Sequence, residues 1–314
     1  MSRGRVVIAA LVLLAGCGLG DKQHQADAIV DAADLAFDAG TATGTLSAAM
    51  RFERLPDGAT VSLGGLGGDA AMTQVEQLFT LDTAIDLDGD RATLTVPGKD
   101  QPFAVFDGLA AFGRRWNAGE RDARPWVRVD LFDLAEGDEL DLTGGNDIPT
   151  FATVALNPVL LLDLVAGPLT GSVEKVGTEQ IAGVDTTRYS ANFDIDKALR
   201  DTREDRYPED RREAVEELLD VFHVAGGIHE GDVWLDGDGR VRRFELRLKE
   251  EPVSRFEIEH RVVLEITEYG GEVDVAVPTP REIVDIRSVV QLIRATVPTP
   301  NTPEFGAFLG VTPA

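Results

Sequence analysis

The sequence is short of several residue types, and each shortage removes a class of function. It has 314 residues and a single cysteine, Cys17, which excludes an internal disulfide and a cysteine-rich metal site. Only four histidines occur, His24, His223, His229 and His260, and His229-Glu230 lacks the second histidine of a zinc-protease helix. There is no G-x-S-x-G elbow. Positive charge is scarce: 30 Lys and Arg stand against 55 Asp and Glu, a formal charge of −25. So acidic a body is repelled by phosphates, which argues against a nucleic-acid partner and against unaided adsorption to anionic lipid. No apolar run approaches the ~20 residues a membrane-spanning helix needs. What remains, 43% hydrophobic and 27% charged, is the mixture of an ordinary globular protein long enough to bury a large core.

The N-terminus is patterned differently from the rest. Arg3 and Arg5 precede an apolar stretch from Val6 to Ala15, the layout of a secretory leader. It ends in Leu14-Ala15-Gly16-Cys17, which resembles the lipobox of bacterial lipoproteins. The resemblance implies a signal peptide over 1–16, cleavage before Cys17, and acylation of that residue with palmitate-type chains. Two acyl chains anchor stably where one does so only marginally. The expected location is therefore extracytoplasmic, on the cell membrane, with 17–25 as a polar tether. Losing Arg3 and Arg5 leaves the body two charges more acidic.

The remainder reads as strands with few helices. Ala26, Ile29, Val30, Ala33 and Phe37 repeat with helical spacing, and Gly40 is a stop. The period then changes to two: Leu46 to Phe52, Phe79 to Leu87, Ala92 to Val96, Phe103 to Phe106 and Trp126 to Leu131 are predicted strands. Asn157-Pro158 is a helix start, followed by Val159 to Val165, which is apolar nearly all round. Such a helix is fully buried or lines an apolar cavity. Thr187, Tyr189, Ala191, Phe193 and Ile195 share one strand face. A helix over Pro208–Phe222, two strands around Asp236–Gly239, and a strand with Phe256, Ile258, Val262, Leu264 and Ile266 on one side follow. His260 falls on that apolar side. Glu282 to Ile293 reads as a short helix ahead of a proline-rich tail.

No catalytic or metal signature emerges. Asp86-Leu-Asp88-Gly89-Asp90 and Asp236-Gly-Asp238-Gly239 misplace the glycine and lack the twelfth-position glutamate of a calcium loop, so they read as turns. Ser62 to Gly68 is glycine-rich but has no G-K-[ST] ending. No pair among the 55 acids is singled out for glycoside chemistry.

Three motifs in order carry a family resemblance. Val176-Gly-Thr-Glu-Gln-Ile-Ala-Gly-Val-Asp-Thr-Thr-Arg-Tyr189, Asp232-Val-Trp-Leu-Asp-Gly-Asp-Gly-Arg-Val-Arg-Arg243 and Leu264-Glu-Ile-Thr-Glu-Tyr-Gly-Gly-Glu-Val-Asp-Val-Ala-Val277 resemble strand pairs of LppX/LprAFG-like actinobacterial lipoproteins. The likeness is clear over 158–280 and thinner over 40–150. It implies a LolA/LolB-like α+β fold: a large curved antiparallel sheet, a half-open β-barrel, with helices on its concave side, forming one domain over 26–280 before the 281–314 tail. It further implies a non-enzymatic protein without cofactor or metal that binds an acylated lipid or glycolipid in an apolar cavity and carries it across the envelope. The candidate lining residues are Leu160, Leu161, Leu164, Val165, Tyr189, Phe193, Phe222 and Ile258. The alternatives are an anchored sensor or interaction lipoprotein with a filled interior, and an anchored hydrolase.

Overall fold

The computed structural model describes residues 24–54, 74–108, 110–114, 124–130, 157–167, 169–194, 197–198, 228–249 and 256–285. Helix α1 occupies 24–37, and the chain turns directly into β1 (Thr41–Arg54) through Gly40, whose φ of 72° suits glycine. The other strands are β2 (Gln74–Asp86), β3 (Arg91–Thr95), β4 (Pro102–Asp107), β5 (Ala110–Arg114), β6 (Trp126–Asp130), β7 (Leu169–Ile181), β8 (Val184–Asp194), β9 (Ile228–Asp236), β10 (Val241–Lys249), β11 (Phe256–Tyr269) and β12 (Ile283–Asp285). Helix α2, Pro158–Ala166, lies between β6 and β7. Among the described residues no helix is long and apolar enough to cross a membrane.

Among the described residues the twelve strands form one open sheet, in the order β12-β6-β5-β4-β3-β2-β1-β11-β10-β9-β8-β7. It is two meanders, β1 to β6 and β7 to β11, joined where β1 meets β11 over nearly the whole length of both strands. The β2–β3 and β9–β10 connections are short turns. At the β2–β3 turn the Asp86 carboxylate accepts from the Gly89 N–H (2.9 Å), and at the β9–β10 turn Asp236 accepts from the N–H groups of Asp238 (3.0 Å) and Arg240 (2.9 Å). Both Asp–Gly segments are thus turns, as their sequence predicts.

Strand alternation gives the sheet an apolar face and a polar one. Leu46, Leu81, Ile85, Leu94, Phe193, Val233, Phe244, Leu246, Val262, Leu264 and Ile266 form a continuous core with Ile29, Ala32, Ala33 and Phe37 of α1 and the apolar residues of α2. Burying each large aliphatic or aromatic side chain there stabilises the fold by about 1.5–3 kcal/mol. Helix α2 packs against β2 and β3 on one side of the β1–β11 junction and against β10 on the other, so the sheet curves around it. The antiparallel, open, curved sheet with helices on its apolar side is the expected architecture.

The end of the chain differs from expectation. Residues 283–285, expected within a short helix, are strand β12, parallel to β6 with Ile283, Val284 and Asp285 opposite Trp126, Val127 and Arg128. Two β-branched residues in succession favour the extended backbone, and Ile283 packs beside Val105, Phe112 and Trp126 in a second, small cluster on the other face. The Pro208–Phe222 helix, the Ser62–Gly68 loop and residues 286–293 lie outside the described residues.

Candidate functional site

Helix α2 is positioned from its first residue. The Asn157 side chain accepts from the N–H groups of Val159 (3.1 Å) and Leu160 (3.3 Å), and its amide donates to the Gly108 carbonyl (3.0 Å). The cap therefore also ties the helix to the end of β4. Pro158 supplies the preset φ of a first helical residue. At the other end Gly167 passes so close to Ala198 that an added Cβ would lie 2.3 Å from that residue's Cβ. Pro158 through Val165 are all buried, which leaves this short helix without a wet side. Asp163 is fully buried too, and it has a partner.

The structure brings most of the sequence-derived candidates together. Leu160, Leu161, Leu164, Val165 and Phe193 belong to one apolar cluster, each at most 3% exposed, and Tyr189 is half-buried at its margin. The Phe193 ring meets Phe244 edge-on, with centroids 5.1 Å apart at 68°. Gly231 makes room for it, since a Cβ there would sit 2.7 Å from the Phe193 ring. Ile258 lies opposite Phe52 in the β1–β11 register. Phe222 lies outside the described residues. Cys17 does as well. His229, set aside in sequence as a metal ligand, is buried, and its strand position alternates in phase with Val233 and Leu235 on the apolar face; it too has a partner.

A second polar residue lies in this apolar surface. Thr83 lies between Leu81 and Ile85 on the same face and is 4% exposed, and its hydroxyl has no hydrogen-bond partner. A buried hydroxyl left unsatisfied costs about 1–3 kcal/mol. Thr83→Val keeps the shape and removes the hydroxyl, so it is expected to raise stability by about 1 kcal/mol in urea denaturation. A fall in stability would mean that the hydroxyl is satisfied in the folded protein.

The opposite face of β8 to β11 is a ladder of arginines and acids. Asp232, 1% exposed, accepts from Arg188 (2.9 Å) and Arg247 (2.6 Å), while Glu245 accepts from Arg243 (3.1 Å) and Arg261 (2.8 Å). The Trp234 ring lies between the guanidinium groups of Arg188 (5.1 Å) and Arg243 (4.8 Å), and its N–H donates to Glu179 (2.6 Å). Burial pushes the Glu245 carboxyl up, but Arg261 and Arg243 outweigh it and hold the group below its usual value of 4.5. A carboxyl depressed in the folded state contributes stability that is present above its unfolded pKa and is lost as pH falls through the folded one. Glu245→Gln is accordingly expected to cost about 1–2 kcal/mol at pH 7, the partly exposed arginines being screened, and to flatten the acid limb of stability below about pH 4.5. Identical acid limbs in urea titrations of the two proteins would contradict this.

With Asp232 and Glu245 each paired to two arginines, the arrangement is a structural brace. Among the described residues no cluster of three metal-capable side chains occurs.

No protein-family model matches the chain, and no curated protein matches it. Among solved structures it is similar to the Mycobacterium tuberculosis lipoprotein LppX, at 14% identity over 80% of this chain and 99% of that one, with a TM-score of 0.36. It is similar to LprF from Mycobacterium bovis at 10% identity, over 82% of this chain and 97% of that one, with a TM-score of 0.37. A DUF1329 family protein from Desulfovibrio piger covers 80% of this chain and 94% of its own length, at 10% identity and a TM-score of 0.22.

Proposed function

We propose that the protein is an envelope lipoprotein, anchored through acylated Cys17, whose body binds the hydrocarbon of an acylated lipid on the apolar face of its sheet and carries it between membranes. One observation supports this above the others: a helix with no wet side, α2, lies within the curve of an open sheet whose apolar face extends from β3 to β8. Each CH₂ moved from water to such a surface gains ~0.8 kcal/mol, so a 16-carbon chain gains roughly 12 kcal/mol before ordering costs. A bilayer stabilises the same chain to a similar degree, so exchange between the two is nearly thermoneutral. Transfer then needs a dry concave surface and no catalytic group.

The experiment is native mass spectrometry of protein purified without detergent. Acylated species retained by the body are the expected result; an empty protein that also fails to take up a fluorescent acyl probe would overturn the proposal. Cys17→Ala is expected to release the protein in soluble form with acyl binding intact, because tether and body do separate work. Release accompanied by loss of folding would contradict that division.

The burial of α2 favours one second reading. With Leu160, Leu161 and Leu164 all at most 3% exposed, the same fold with a permanently filled interior would serve as an anchored sensor or interaction protein. The two readings differ in whether added lipid changes the stability of the body.

A further inference from the structure

The segment after β11 crosses from the middle of the sheet to its edge. It is fastened at its start to β1, where the Gly270 N–H donates to the Thr41 carbonyl (2.9 Å) and the Thr41 hydroxyl donates to the Gly271 carbonyl (2.6 Å). Residues 271–278 belong to no strand, yet they alternate: Val273, Val275 and Val277 are half-buried while Glu272, Asp274 and Ala276 are exposed. Val275 and Val277 rest on Val105 of β4, Phe112 of β5 and Trp126 of β6, on the side of the sheet away from the helices. A turn follows, closed by the Glu282 carboxylate, which accepts from the Thr279 N–H (2.9 Å) and hydroxyl (2.7 Å). The far end is fastened by the Trp126 N–H, which donates to the Glu282 carbonyl (3.1 Å), and by the pairing of β12 with β6.

This strap is short for its path. Extended chain from 271 to 279 reaches about 27 Å, and the 279–282 turn adds at most about 7 Å. Six strand-to-strand steps separate β1 from β12, about 29 Å measured along the sheet itself. A path along the outside of a curved sheet is longer than the sheet, so the strap spans it with almost no slack. An open sheet with one apolar side gains burial by curling further over that side. Each increment of curl lengthens the outer path that a strap of fixed length must cover. We infer that residues 271–285 are a stay that stops the β1–β6 meander from curling shut, and that detaching β12 from β6 lets the apolar side close. The strap thereby sets how far the interior stands open, whatever occupies it. Three residue pairs hold β12 to β6, few enough to make this the end that lets go.

The test uses the full chain with Cys17→Ala and two nitroxide-labelled positions, Lys99→Cys in the β3–β4 connection and Glu174→Cys on β7, both exposed in the native protein. Their separation is read by pulsed electron paramagnetic resonance. Two glycines inserted between Asp274 and Val275 keep the alternation in phase and add up to about 7 Å of reach, so the labels are expected to approach by about 3–7 Å. The same insertion after Gly183 in the β7–β8 turn, where nothing lies within 4 Å of an added Cβ, is expected to leave the separation unchanged. Val277→Ala loosens the strap without touching its backbone. It is expected to broaden the distribution toward short distances, and it decides the matter if the insertion does not fold. An unchanged separation in the loosened variants, a longer one, or an equal change in the Gly183 control would overturn the inference.

Discussion

Gly44→Ala is expected to destabilise the protein by at least about 3 kcal/mol, the upper part of the range for forcing atoms into packed space. A Cβ at this position would lie 1.9 Å from the Glu265 carbonyl oxygen and 3.0 Å from the Ile266 Cα, both backbone atoms of the paired strand. The close approach occurs at a bulge: Thr43 pairs with Glu268 and Gly44 with Ile266, so Thr267 is the extra residue, and its hydroxyl donates to the Thr43 carbonyl (3.1 Å). Because β1 and β11 join the two meanders within the described sheet, displacement there acts on both halves of it. Gly177→Ala is the control. Nothing lies within 4 Å of its added Cβ, and its effect should stay within about 0.5 kcal/mol. Equal urea midpoints for the two variants would show that the bulge tolerates a side chain.

Leu161→Ala is expected to cost about 2–5 kcal/mol in delipidated protein, the usual loss on emptying a buried leucine site. Leu161 is 2% exposed within α2. If the interior accepts hydrocarbon, a bound chain fills part of the new cavity, and the loss shrinks by about 1 kcal/mol or more in lipid-loaded protein. If the interior is permanently filled by its own side chains, the loss is the same with and without lipid. Thermal or urea unfolding of both proteins in both states thus separates carrier from anchored scaffold.

How much of this was legible in the sequence depended on whether the signal was local. Helix α1 and helix α2 are written in spacing and in a capping asparagine followed by proline, and the faces of β8 and β11 in simple alternation. Strand β5 was missed: Ala110-Ala-Phe-Gly-Arg114 has no alternation of its own, and it forms because β4 and β6 flank it while Phe112 packs beside Val105 and Trp126. Strand β7 buries little besides Val173 and Ile181, so it was visible only through a motif resemblance. Residues 283–285 were read as helix because their strand character comes from parallel pairing with β6, more than 150 positions earlier. The site followed the same rule. The apolar residues of α2 and Phe193 were recognisable one by one, but the pairing of Asp232 and Glu245 with four arginines depends on register across four strands.

The edges of the sheet have one further consequence. A barrel left unclosed exposes a row of backbone donors and acceptors that can template growth by neighbouring copies. On one side the short β12 caps β6. On the other, β7 is long, but its register slips between Thr170 and Glu174 and again between Lys175 and Gly177, and it carries glycines at 171 and 177 with charges at Glu174, Lys175 and Glu179. A strand so broken and so charged offers no straight stretch for another molecule to zip onto. Among the described residues, the irregularity of β7 makes that edge a poor template for pairing with another molecule.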